Sequence, residues 1–280
     1  MIAKRFNFIL ASLLFGYAFL YIPIISLIVY SFNKSKLVTV WGGFSTKWYG
    51  ELFRNEQIID AALLSLRIAM VSAIFAVAFG TLAGFVMARM KRFKGRTLFS
   101  GMITAPLVMP EVITGLSLLL FFVALQKLTG WPEGRGVTTI SIAHITFSMA
   151  YVAVIVQSRL ADMDPSLEEA AMDLGAKPVK VFFAITLPII APALISGWLL
   201  AFTLSIDDLV IASFVSGPGS STLPMVIFSK VKLGVSPDIN ALASIIIGIV
   251  AFGVILAIFA MKRQEAIRSR DMQLIAAAND

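Results

Sequence analysis

The sequence contains no cysteine, which excludes disulfides and cysteine metal sites. Its one histidine, His144, leaves zinc coordination and Ser-His-Asp chemistry almost nothing to work with. Charge is scarce as well. Only 14% of the 280 residues are Asp, Glu, Lys or Arg, against roughly 25% in soluble domains. There is no Gly-x-x-x-x-Gly-Lys-Ser/Thr loop to cradle a nucleotide phosphate. No low-complexity tract, internal repeat or dividing linker is apparent, so the chain reads as one domain, 1–280.

Apolar sequence fills the space these absences leave. The chain is 59% hydrophobic, and long uncharged runs alternate with short charged loops. Runs of about 20 residues without charge are the signature of helices that cross a bilayer, rather than of soluble helices. Six spans are expected, at 8–32, 61–88, 98–125, 138–158, 189–215 and 239–261. The first run is too long for the core of a signal peptide and no small-residue cleavage site follows it, so it reads as a retained span. The fold class is therefore an all-α membrane protein. The formal charge of +7 is assigned to cytoplasmic loops and not to nucleic acid. Arg89, Lys91, Arg92, Lys94 and Arg96 form a loop without an acid and orient the chain. Both termini are then cytoplasmic, in agreement with Lys4, Arg5, Lys262, Arg263, Arg268 and Arg270.

The loop at 159–188 lies on the same side by alternation. Asp164 and Pro165 suit a helix start, and Ser166 with Glu169 could close a capping box. Leu167, Ala170, Ala171 and Leu174 fall on one face, made shallow by its two alanines. Glu169 and Asp173 share a second face, where like charges four apart favour a basic partner. Gly175 can end the helix in the left-handed conformation. Pro178 then opens a second short helix and Pro188 ends it. Read on physics alone, this is either an ordinary loop helix or a docking surface.

Glu169-Ala170-Ala171, three residues, Gly175, nine residues, then Ile185-x-Leu187-Pro188 resembles the signature of permease subunits of binding-protein-dependent ABC importers. The six-span layout extends the resemblance over nearly the whole chain. It implies the type I ABC importer permease fold and a bacterial inner-membrane location. It also implies that Glu169, Ala170, Ala171, Gly175, Leu187 and Pro188 seat in a cytoplasmic ATPase dimer that supplies the energy. Further partners implied are a second homologous permease subunit, a periplasmic binding protein and membrane lipid; no cofactor and no nucleic acid are called for. Three stretches, Tyr30–Asn33 with Thr46–Tyr49, Thr104–Glu111 and Phe202–Phe214, resemble the putrescine and spermidine permeases, above all the smaller putrescine permease subunit. Polyamine import is the function this implies.

An ionisable group in hydrocarbon costs about 2.5–3.5 kcal/mol even on lenient scales, so each needs a reason. Asp207 and Asp208 lie about 19 residues, roughly 28 Å, from Pro188. They read either as neutralising a substrate ammonium or as a loop acid and helix cap. Glu111 follows Pro106 and Pro110 and reads equally as part of a cation site or as an acid at a helix start. Trp198 and Phe202 can stack on an alkyl amine. Arg67 reaches the outer interface, and His144 reads as a packing residue. The aromatic loop 33–60 is either an interfacial anchor or a partner surface. The competing reading is a self-sufficient carrier or channel with Glu111 and Asp207 relaying protons. An enzyme is not expected, since no Ser/His or paired-Asp arrangement is legible.

Overall fold

The computed structural model describes residues 2–37, 40–90, 92–234 and 236–279. Lys91, and the side chains of Lys4, Arg5, Arg268 and Arg270, lie outside what is described. The described residues are helical, joined by loops, with one isolated bridge between Asn33 and Phe44. Among the described residues five helices are long and apolar enough to span a bilayer, and a shorter apolar stretch, Pro237–Gly253, opens the last helix.

Two compact units are present, Met1–Glu56 with Lys230–Asp280, and Gln57–Ser229. The first is assembled from the two ends of the chain, which is why no linker marks it. Its long helices are α1 (Ile2–Ser31) and α12 (Pro237–Asn279), and α2 (Lys47–Phe53) packs against α12. α1 exposes a nearly continuous apolar surface, including Phe8, Phe15 and Phe19. The aromatic loop is tied down by Asn33. Its Oδ1 accepts from the backbone N–H of Gly42 (2.8 Å) and Ser35 (3.1 Å), and its Nδ2 donates to Val40 O (2.7 Å). Trp48 Nε1 donates to Asn33 O at 2.6 Å, and Tyr49 shares a hydrogen bond with Ser31. Trp48 is therefore buried within the loop, while Phe53 on the same short helix stays exposed.

The second unit contains α3 (Glu56–Arg89), α4 (Arg96–Val108), α5 (Glu111–Thr129), α6 (Val137–Ala161), α7 (Ser166–Asp173), α8 (Pro178–Val181), α9 (Leu187–Ile206) and α10 (Val210–Val215). α11 (Leu223–Leu233) follows and ends in the first unit. α6 is the centre, with Ile140, Ala143, Ala150, Val152, Val156 and Leu160 fully buried. In lipid the packing of small residues brings helices together, because water exclusion is not available. α3 supplies them: Ala69, Ala73 and Ala76 are buried, and Gly80 and Gly84 approach α6 so closely that a Cβ would meet Val152 Cβ at 2.6 Å or Ala153 O at 2.7 Å.

Two expected spans are interrupted. The run 98–125 is two helices, α4 and α5, with the break at Met109-Pro110. Pro106 sits inside α4 without ending it, so only the second proline breaks the chain. The run 189–215 is α9 and α10, separated by Asp207, Asp208 and Leu209. At its other end Pro188 does not terminate a helix as expected. A π-helical turn, Phe182–Thr186, widens the backbone just before it, and Pro188 opens α9. Proline is tolerated in a first turn because its missing N–H is not needed there.

Candidate functional site

The bent segment after α6 is built as the sequence suggests, with two corrections. Asp164, not a Ser166–Glu169 box, closes the start of α7: its Oδ1 accepts from Ser166 N at 2.9 Å. That backbone hydrogen bond holds the exposed Asp164 carboxyl below the ordinary carboxylate range. The second correction is Pro188, described above. Gly175 has φ +86°, and Ala176 N returns to Ala171 O, which gives the bend a left-handed hinge.

None of the α7 residues is buried. Glu169, Ala170, Gly175 and Pro188 are exposed, and Ala171 and Leu187 are half-buried. Leu167 is 48% exposed and Leu174 91%. Val179 and Phe183 continue this surface. The apolar residues of α7 are thus left open on this chain.

Sequence reasoning singled out Glu169 and missed Glu168. Glu168 turns inward, 12% exposed, and its Oε2 lies 2.7 Å from Arg89 Nε. Its Oε1 accepts from the buried Thr186 hydroxyl at 2.6 Å. Arg89 Nη1 donates to Leu160 O at 2.9 Å. A cavity of about 240 Å³ lies beside this cluster, lined by Phe85, Met172, Pro178 and Phe182 among others. No signal for the pair was legible in the sequence, because Arg89 read there as the first of the five basic residues that orient the chain.

The second group of expected residues lies at the α9–α10 break. Asp208 accepts from the backbone N–H of Ile211 (3.2 Å) and Ala212 (2.7 Å), so it caps α10. The same carboxylate is 3.1 Å from His144 Nε2, while His144 Nδ1 meets Ser205 Oγ at 2.6 Å. All three side chains are buried: His144 is 2% exposed, Ser205 5% and Asp208 8%. The fold thus assembles a Ser, a His and an Asp that the sequence did not bring together. The serine and histidine are sealed from solvent and the carboxylate is committed to a helix end, so the trio fastens α6 to the break. Asp207, one residue earlier, is exposed.

Glu111 is the first residue of α5, exposed, in the first turn after Pro110. Trp198 and Phe202 stack with centroids 5.3 Å apart and lie half-buried against the core around Val152 and Ile190. Among the described residues no group of acids, His or Cys could hold a metal ion.

Long apolar helices, two interrupted spans and an exposed bent segment between spans define a multi-pass membrane protein. Residues 80–270 match the model of the family described as binding-protein-dependent transport system inner membrane component, and the chain belongs to that family. It is therefore an inner-membrane permease subunit of an ABC importer, and the self-sufficient carrier reading gives way to that membership. The chain is 61% identical, over 93% of both proteins, to the putrescine transport system permease protein PotI of Escherichia coli (strain K12). It is 44% identical to the spermidine/putrescine transport system permease protein PotC of the same organism, over 82% of this chain and 85% of PotC. A chain in the crystal structure of a bacterial ABC transporter involved in the import of the acidic polysaccharide alginate superposes with a TM-score of 0.69 at 16% identity. That match covers 92% of this chain and 96% of the other, and identifies the fold alone.

Proposed function

We propose that the chain imports putrescine or spermidine as half of a permease pair, driven by a cytoplasmic ATPase dimer and fed by a periplasmic polyamine-binding protein. The observation that carries the coupling role is the exposed, apolar, glycine-hinged α7–α8 segment. Glu169, Ala170, Ala171, Gly175, Leu187 and Pro188 line or brace the surface on which the ATPase seats. The 61% identity to a putrescine permease over 93% of both proteins supports the substrate class. The exposed apolar faces of α1 and α5 suit lipid and the second permease subunit. No ATP chemistry belongs to this chain.

In this reading the outward-facing pair receives the amine from the binding protein. ATP closes the ATPase dimer, α7 moves with it, and the spans change access. Exposed Asp207 and Glu111 attract the ammonium groups, while Trp198 and Phe202 border its alkyl chain. Asp208 holds the break that presents Asp207. Lone exposed acids attract a cation without trapping it, as passage requires. Reconstitution of the full assembly with putrescine, spermidine and a neutral control tests this. Saturable, ATP-dependent uptake of an amine is expected; equal uptake of the neutral solute would overturn the substrate assignment.

A further inference from the structure

Force applied to α7 has to reach the spans through something stiffer than a shallow apolar face, because that helix buries none of its residues. Among the described residues a polar junction does this. The Glu168 carboxylate binds Arg89, the last residue of α3, through Oε2 and Thr186, at the π-turn leading into α9, through Oε1. Arg89 Nη1 in turn binds the Leu160 carbonyl in the last turn of α6. One carboxylate on the coupling helix is thereby joined to the ends of three spans. Phe85 and Phe182 pack edge to face, 5.2 Å between centroids, beside the same junction.

The pair is neither a surface ion pair nor a sealed one. Arg89 is 19% exposed and Glu168 12%, so the pair is largely shielded from solvent. Exposed ion pairs contribute roughly 0–1 kcal/mol, whereas a carboxylate that also accepts a buried hydroxyl is fixed in direction. Direction is what a joint requires. A π-turn, a rare backbone form found most often at functional sites, lies beside it.

We propose that Glu168 and Arg89 are positioning residues that form the transmission joint of the transporter, carrying motion of α7 to α3, α6 and α9. This rests on the reading of α7 as the ATPase-docking helix. Glu169 faces the motor and Glu168 faces the spans, so the two adjacent acids divide gripping from transmitting.

The test uses the complete reconstituted assembly and measures three quantities: co-purification of the ATPase, ATP hydrolysis, and putrescine uptake. Glu168→Gln keeps an acceptor for Thr186 but removes the charge. It is expected to leave co-purification intact and hydrolysis within about twofold, while uptake per ATP falls about tenfold, a typical allosteric coupling factor. Arg89→Met should do the same, and the double variant should be no worse than the poorer single one, because both act on one joint. An unchanged uptake-to-hydrolysis ratio, or additive losses in the double variant, overturns the proposal. Loss of the ATPase from the Glu168→Gln assembly also overturns it, by assigning Glu168 to docking. Glu169→Lys is the control for the underlying reading. If it releases the ATPase while Glu168→Gln is silent, docking stands and the joint falls; if it retains the ATPase, the docking reading itself fails.

Discussion

The cytoplasmic-type bend and the α9–α10 break use the same device in opposite settings. At each, two acids stand side by side and the fold separates them. Glu168 turns in to Arg89 and Thr186, and Glu169 is left exposed. Asp208 turns in to His144 and the α10 N-terminus, and Asp207 is left exposed. On α7 neighbouring positions differ by about 100°, so the two glutamates face different ways; at the break the N-terminus of α10 takes Asp208 and leaves Asp207. The inward acid secures the backbone and the outward acid is left available. The settings differ in what surrounds the outward acid. Around Glu169 lie exposed apolar side chains, where we propose that a protein partner seats; at the break we propose that exposed Asp207 attracts a small cation.

The largest effect that sharpens this comparison is expected from Glu169→Lys. ATP-driven uptake by the assembly should fall by about 100-fold or more, the upper range of a coupling factor. Circular dichroism of the purified chain should be unchanged, since Glu169 has no interior partner. Asp207→Asn should raise the half-saturating concentration of putrescine about tenfold, the equivalent of one lost charge contact of roughly 1.4 kcal/mol. Asp208→Ala should instead lower thermal stability by about 0.5–2 kcal/mol through the lost cap, with a smaller effect on substrate concentration dependence. If the two aspartates exchange these phenotypes, the inward-outward division is wrong at the break.

His144→Ala should cost about 1–3 kcal/mol, because Ser205 and Asp208 lose a buried partner. Melting of the detergent-solubilised assembly measures it. The smallest effect concerns Asp238, whose carboxylate accepts from Lys230 at 2.7 Å and pairs with Ser236. Burial raises its pKa, but the hydrogen bonds from Lys230 and Ser236 outweigh that, so it lies below the ordinary value. A depressed acid stabilises the fold above its unfolded pKa, and that contribution is lost as pH falls through the lower folded pKa. Partial exposure keeps the effect under about 1 kcal/mol. The difference in melting temperature between wild type and Asp238→Asn should therefore be present at pH 7 and vanish in strong acid.

Hydrophobic runs made the helices legible, because crossing a bilayer dictates both length and composition. The bend was legible for a similar reason: Gly175 is required wherever a helix ends in the left-handed region. Three features were not. Which of Pro106 and Pro110 breaks the third run depends on packing, and both obey the same local rule. The inward partner of Glu168 is the last residue of a different helix. Asp208 meets a histidine 64 positions away. Local pattern cannot supply such distant pairings. The role of Gly80 and Gly84 was likewise not read from the sequence, and it shows only once Val152 and Ala153 are seen against them.

Uptake of labelled putrescine into vesicles, measured for this chain alone and for the complete assembly with and without ATP, tests the account most directly. The account predicts flux only from the assembly and only with ATP. Sustained flux from vesicles containing this chain alone would contradict it.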